Sequence, residues 1–303
     1  MPLLSPLTGS DRLELEQLIP VEKIVKLYQV KYQINVSAFF TGVNQVRVFR
    51  CQDTGYRFYY PFTISGDHST FQAQWPQLTQ QTDKQNWEQE ESRKFVAPTD
   101  NVLEINAINS SFLSDLTGRG VRAHGLIAND QVATSIALHH PNLSFGREAI
   151  GPHAEQLPNH YDVVCAFQVL AQMAPVKDLI RPAVNALRKG GRLLLSVPNN
   201  CGFLGKATED VLNLPPHTMG LWDEHALRAV AWVFPELYVE KIVVQPLQPQ
   251  HYKYYYQTYV GVVNDGLIGK LFSQLTFPLV KPLINARAGR IRGRSVLAVY
   301  TKK

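Results

Sequence analysis

The chain is poor in sulfur: 303 residues hold three cysteines and three methionines. Cys51, Cys165 and Cys201 are odd in number and far apart, which excludes a disulfide framework. Cys165 sits inside an apolar run and reads as a core residue. An uninterrupted stretch of about 18 apolar residues, the length that spans a bilayer as a helix, is also missing. The N-terminus lacks a basic segment followed by a long apolar run, so no secretory leader is expected and the cytoplasm is the expected location. Charge is scarce as well, at 18% charged residues and a net +5. So mild an excess does not call for a polyanionic partner, and no nucleic acid is expected. No internal repeat is visible. What is present is an ordinary globular balance with 45% hydrophobic residues, on a chain long enough for a large core.

The order of patterns is informative. Residues 1–62 form a β-rich region: 45–51 alternates in strand fashion, 56–60 is aromatic and strand-like, and Asp53-Thr54-Gly55 forms the turn between them. Ahead of them, 21–32 has helical spacing. Residues 63–100 are polar and glutamine-rich, contain Trp75 and Trp87, and read as a connector with a helix over 87–95. From 101 to 303, apolar strands at 102–105, 121–126, 143–145, 161–167 and 192–197 alternate with helices from 110, over 131–138 and over 176–187. A further helix over 224–232 and strands at 239–244 and 295–300 complete the set. This alternation predicts an α/β, doubly wound, mostly parallel seven-stranded sheet with helices on both faces. Arg188-Lys189-Gly190-Gly191 reads as a helix end, basic in its last turn with glycine just beyond.

The stretch 102–113 reads as strand, tight turn and helix start, where such folds cradle nucleotide-like cofactors on glycines. It contains no glycine. Val102-Leu103-Glu104-Ile105-Asn106-Ala107-Ile108-Asn109-Ser110-Ser111-Phe112-Leu113 nevertheless resembles the first motif of class I S-adenosylmethionine-dependent methyltransferases, roughly V-L-E-I-G-x-G-x-G-x-F-L. Asn106, Ile108 and Ser110 occupy its three glycine positions. Residues 161–173, beginning Tyr161-Asp162-Val163-Val164, resemble the family's F-D-V-V-x-x-x-E-V-L-E-H-V segment. Residues 188–199, ending Leu194-Leu195-Ser196-Val197-Pro198-Asn199, resemble its R-P-G-G-R-L-L-L-S-V-P-N segment. Pro215-Pro216-His217-Thr218 with Trp222 is similar to an element of a bacterial subgroup. Members of that subgroup often carry an N-terminal zinc-ribbon-like segment, C-P-x-C-G followed by C-x-x-C-G. Ser5-Pro6-Leu7-Thr8-Gly9 and Cys51-Gln52-Asp53-Thr54-Gly55 stand at those positions, and one thiolate of four remains. Residues 1–62 therefore resemble a zinc ribbon without its ligands, and no metal is expected.

The resemblance implies a Rossmann-like methyltransferase fold, S-adenosylmethionine as cofactor, and methyl transfer to a small molecule or glycan. It assigns Glu104, Asn106, Ile108, Ser110, Asn129 and Phe167 to cofactor binding and His217 to catalysis as a base. Asparagine tolerates left-handed backbone, so Asn106 and Asn109 are mild replacements, whereas Ile108 is β-branched and bulky. Ile127 stands where strand two ordinarily ends in the acid that binds the ribose diol, and Asn129 is a neutral substitute two residues on. Buried charged acceptors contribute roughly 1.5–3 kcal/mol each. With the steric cost at Ile108, the expected weakening is roughly 3–6 kcal/mol, about two to four decades of affinity. Gln168, Ala171 and Gln172 replace Glu, Glu and His, removing a base.

Each candidate has a bland reading beside the functional one. His217 can be a loop-anchoring histidine, Trp222 a packing residue, Glu104 an anchor for loop amides, and Asp162 structural. Tyrosines 252, 254, 255, 256 and 259 read as edge-strand packing or a sugar platform. Residues 267–294, apolar and basic, read as a cap over the substrate side or as a peripheral membrane-contact segment. Two further functional classes stay open: a non-catalytic pseudo-methyltransferase acting as a binding or scaffold protein, and a crevice refitted to a less polar ligand.

Overall fold

The computed structural model describes residues 2–66, 87–107, 111–127, 129–207, 209–263 and 267–303. The N-terminal part forms an antiparallel sheet from β1 (Leu13–Pro20), β2 (Gln45–Cys51) and β3 (Arg57–Tyr60), with α1 (Val21–Tyr32) between the first two. Alternation along β2 turns Val46 and Val48 inward, where they meet Ile24 and Tyr28 of α1. The fourth strand, β9 (Gly220–Leu221), comes from far along the chain and pairs Arg57 with Leu221 and Phe58 with Gly220.

Two turns at the tip of this unit repeat the same hydrogen bonds. Gly9 N–H donates to the Ser5 carbonyl at 2.8 Å, and Gly55 N–H to the Cys51 carbonyl at 2.8 Å. Both glycines have positive φ, 81° and 71°, which an L side chain resists. Thr8 Oγ1 accepts from Ser10 N–H, and Thr54 Oγ1 from Tyr56 N–H. The turns meet where Thr8 Oγ1 lies 3.6 Å from Cys51 Sγ. Burial raises the Cys51 thiol, but hydrogen bonds from Thr54, Thr8, Ser5 and the Asp53 backbone outweigh it and hold the thiol below its ordinary value. The four positions that the resemblance assigns to zinc ligands are thus gathered, as three neutral hydroxyls and one thiol. Zinc favours thiolate and imidazole, so these residues do not fit it.

The main sheet has the order β10-β11-β8-β7-β4-β5-β6. Its strands are β4 (Asn101–Ile105), β5 (Arg122–Leu126), β6 (Ser144–Gly146), β7 (Tyr161–Phe167), β8 (Leu187–Pro198), β10 (Leu237–Pro246) and β11 (Arg292–Lys302). Among the described residues every pair is parallel except the two made by β11. The helices are α2 (Trp87–Ser92), α3 (Ser111–Gly118), α4 (Asp130–His139), α5 (Ile150–Gln156), α6 (Lys177–Ala186) and α7 (Glu224–Val233). Val102, Val163 and Leu194 face Phe112 and Leu116 of α3. Leu103, Val164 and Leu195 face Leu179 of α6 and Leu227 of α7. This is the expected doubly wound, Rossmann-like sheet with an antiparallel N-terminal extension.

Two local expectations are corrected. Gly190-Gly191 does not end a helix: α6 stops at Ala186, and residues 188–191 bulge from β8 opposite Asp162, with Gly190 at φ 76°. A Cβ on Gly191 would lie 2.9 Å from the Arg188 carbonyl oxygen, so the bulge requires glycine. The tyrosine-rich segment is no edge strand. It forms α8 (Tyr252–Val263), which pairs with α9 (Leu267–Arg287) as a helical hairpin between β10 and β11. Tyr252, Tyr255, Tyr256 and Tyr259 step by three and four residues, the helical period, behind tyrosine's strong strand preference.

Candidate functional site

The carboxyl ends of β4, β5 and β7 lie side by side, with Ile105 in register with Leu126 on one side and Ala166 on the other. Loops leaving these ends form the crevice of a doubly wound sheet. On β4 the pleat turns Glu104 to the α3 face, flanked by Gly125 and Cys165. Glu104 is 3% exposed, and its Oε2 has no hydrogen-bond partner among the described residues. Burial alone pushes this carboxyl up to about 8. The chain then turns at Asn106, whose φ of 60° is left-handed. That is the geometry a glycine would supply and asparagine tolerates best. Ala107 N–H donates to the Leu126 carbonyl, locking the turn to β5. Ile108 and Ser110 lie outside the described residues.

Past β5, Ile127 is buried with Ala107, Leu113, Ala133 and Ile136. Its side chain joins the sheet–helix core. Asn129 is half-buried at the head of α4, its carbonyl accepting from Ala133 N–H. The neighbouring acid, Asp130, points to solvent and pairs with Arg147 at 3.1 Å. Gly125 makes room for this packing: a Cβ there would lie 2.6 Å from Leu113 Cδ1 and 2.8 Å from Ala107 Cβ. Phe167 ends β7 and meets Phe112 of α3 edge-on, ring centroids 5.1 Å apart.

The turn after β7 was not legible as a polar centre. Gln168 has φ 62°, and its N–H donates to the Ser196 carbonyl at 2.9 Å. Its side-chain amide donates to Glu88 Oε1 at 2.6 Å and to Ser295 Oγ at 3.2 Å. Ser295 Oγ donates to the same Glu88 oxygen at 2.5 Å. From the same short helix, the carbonyl oxygen of the Gln89 side chain accepts from Ser111 Oγ at 2.8 Å. Helix α2 thus lowers two polar side chains onto the carboxyl end of the sheet. The only sequence signal was a Trp-Glu-Gln run in a connector. The side-chain oxygen of Gln172 is buried without a partner among the described residues.

His217 belongs to a loop stitched to this end, since the Ala171 carbonyl accepts from Met219 N–H and Gly220 N–H. The ring is half-buried, and Nδ1 lies 3.1 Å from the Leu212 carbonyl. A carbonyl only accepts, so Nδ1 carries the proton and the basic lone pair is on Nε2. Burial holds this histidine below its ordinary value, and it is neutral at pH 7. Its backbone also bonds Tyr28 of α1. Trp222 is fully buried against Tyr56, ring centroids 4.3 Å apart, and serves packing. Asp162 accepts from Asn101 N–H and pairs with Arg188 at the opposite end of the strands, a structural role.

Among the described residues one other group has ligand-type atoms close together: His124, Glu148 and His153, within 4.8 Å. Tyr161 Oη donates to His153 Nε2 at 2.7 Å, and His153 Nδ1 donates to Glu148 at 2.6 Å. The two imidazole planes differ by 10°. The two rings lie in near-parallel planes, and the hydrogen bonds of His153 make the group a brace of α5 against Tyr161 of β7, with His124 of β5 stacked beside it.

Neither a protein-family model nor a curated protein sequence matches this chain. Solved structures do. A chain from the complex between the Haloferax volcanii Trm112 methyltransferase activator and a methyltransferase is similar at 14% identity and TM-score 0.50, over 78% of this chain and 98% of that one. An Archaeoglobus fulgidus SAM-dependent methyltransferase is similar at 12% identity and TM-score 0.49, over 78% and 100%. Burkholderia thailandensis 1,6-didemethyltoxoflavin-N1-methyltransferase, with bound S-adenosylhomocysteine, gives 10% and 0.48, over 77% and 84%. Such identities bear on fold alone. The strand order and the match at TM-score 0.50 give the chain the Rossmann-like fold found in methyltransferases.

Proposed function

We propose that this protein binds S-adenosylmethionine weakly and transfers its methyl group to a small molecule or glycan. The observation that carries this reading is Glu104 Oε2, a buried acceptor without a partner among the described residues, beside the left-handed turn at Asn106. A buried carboxylate in want of a cation fits the ammonium of an amino-acid moiety. Asn106 supplies the turn, Asn129 stands nearest the position of the lost ribose acid, and Phe167 lines the end of β7. Bound there, the cofactor supplies an electrophilic methyl group on sulfur. His217 Nε2 takes the proton of the acceptor, and the Ala171 clasp fixes the loop that carries it. Ile127 leaves no carboxylate for the ribose diol, so the affinity sits decades below that of a complete site.

Calorimetric titration with S-adenosylmethionine and S-adenosylhomocysteine, in buffers of different ionisation enthalpy, tests the reading. Glu104 is protonated near neutrality and must ionise to pair with an ammonium. Binding therefore releases close to one proton at pH 7, and Glu104→Gln weakens it about ten- to a hundredfold while abolishing that release. Ile127 packed into the cofactor volume would favour a non-catalytic binding or scaffold protein, and it packs in the sheet–helix core instead. No heat up to millimolar ligand retires methyl transfer in favour of that role.

A further inference from the structure

Helix α9 turns Ser273 and Ile284 inward, and Ile284 joins a cluster with Phe203 and Tyr252. Phe272, Leu275, Leu279 and Leu283 look the other way, with 51%, 77%, 81% and 54% of their surface in solvent. Steps of three, four and four residues place them along one line of the helix. A row of four large exposed apolar side chains is far from the scattered single leucine of an ordinary surface.

Charge decides what covers it. From residue 267 to the C-terminus the chain has no Asp or Glu. Lys281, Arg287 and Arg290 are exposed and form no ion pair among the described residues. Arg292 and Arg294 are already committed to Glu224 and Asp210. A second copy docked face to face would bring the same cations together across the contact. A surface that is apolar beneath and anionic above answers both features. The helix has 21 residues, about 31 Å of axis, ample for lying flat. Among the described residues no helix is long and apolar enough to cross a membrane.

We propose that α9 docks in the plane of a bilayer of anionic lipids, Phe272, Leu275, Leu279 and Leu283 entering the acyl boundary and Arg287 and Arg290, at the end of the same row, meeting the headgroups. This inference stands apart from the methyl-transfer reading. The hairpin packs on Phe203, just past the carboxyl end of β8, so the docked face and the crevice lie toward the same end of the sheet.

The test is co-sedimentation of the full chain with phosphatidylcholine vesicles, with and without phosphatidylglycerol, at low and high salt. The chain is expected to sediment with the anionic vesicles, less so at high salt. Leu275→Glu/Leu279→Glu is expected to lower the bound fraction at least about tenfold. Both leucines are exposed, so the fold should survive, and an unchanged circular dichroism melt checks that. Leu138→Glu, exposed on α4, is expected to bind vesicles as the parent does. Failure to sediment with anionic vesicles at low salt overturns the proposal, as does equal binding by the double variant. A dimer in light scattering that the double variant dissociates assigns the face to a second copy instead.

Discussion

Glu104 stands in the middle of an apolar strand, and burial keeps its proton on up to about pH 8, against 4.5 for a solvated glutamate. The sign follows from that order. The protonated form is favoured in the fold, so its contribution is fully present below pH 4.5 and is lost as pH rises through about 8. Thermal melts of the ligand-free protein should fall in midpoint across that interval, with an integrated loss of order 3–5 kcal/mol. Glu104→Gln keeps the shape and removes the titration, so its melts should be nearly flat there. A parent profile as flat as the variant's would place a cation or a donor on Oε2. The same residue was legible in sequence as an acid inside an apolar run. That no group among the described residues answers it was not, because its neighbours, Gly125 and Cys165, come from other strands of the sheet.

At the scale of elements, legibility followed locality. The parallel strands could be read because each is a short apolar run bounded by polar turns, and α7 because Asp223 caps it, its side chain accepting from Ala226 N–H at 2.9 Å. The two N-terminal turns were readable from two glycines spaced alike from Ser5 and Cys51. Helix α8 was misread because tyrosine's strand preference hid a helical step, and the bulge at Gly190 because glycine after basic residues equally suits a helix end. The Glu88–Gln168–Ser295 centre joins residues 80 and 127 positions apart, which no window along the chain can contain. The two turns offer a direct check on whether their backbone can close a metal site. Ser5→Cys/Thr8→Cys/Thr54→Cys, with native Cys51, should bind one zinc per chain by elemental analysis and raise the melting midpoint when loaded. Failure to retain zinc after desalting would mean that the two turns sit too far apart for tetrahedral closure.

For the molecule as a whole, the two sheets share one core, in which Tyr56 and Phe58 meet Trp222. Trp222 and Tyr56 pack across it with ring planes tilted by 41°, and Gly220 is bare because a Cβ there would lie 2.4 Å from Tyr56 Oη and 2.7 Å from Trp222 Nε1. Trp222→Ala removes the largest fully buried side chain and should cost about 3–5 kcal/mol in urea unfolding. It should also split one transition into two, the antiparallel unit melting first. A single transition of unchanged midpoint would show that the hydrogen bonds of β3 with β9 hold the units together alone.

That pairing also bears on how the protein is made. The strand that closes the N-terminal sheet is encoded about 160 residues after β3. At roughly 5–20 residues per second, a ribosome needs about 8–30 seconds to deliver it. Through that interval the nascent chain presents the aromatic edge Arg57-Phe58-Tyr59-Tyr60 with its ladder unfilled. The N-terminal sheet therefore closes only after five of the seven main-sheet strands have been made, and until then its edge is open to chaperones and to other nascent chains.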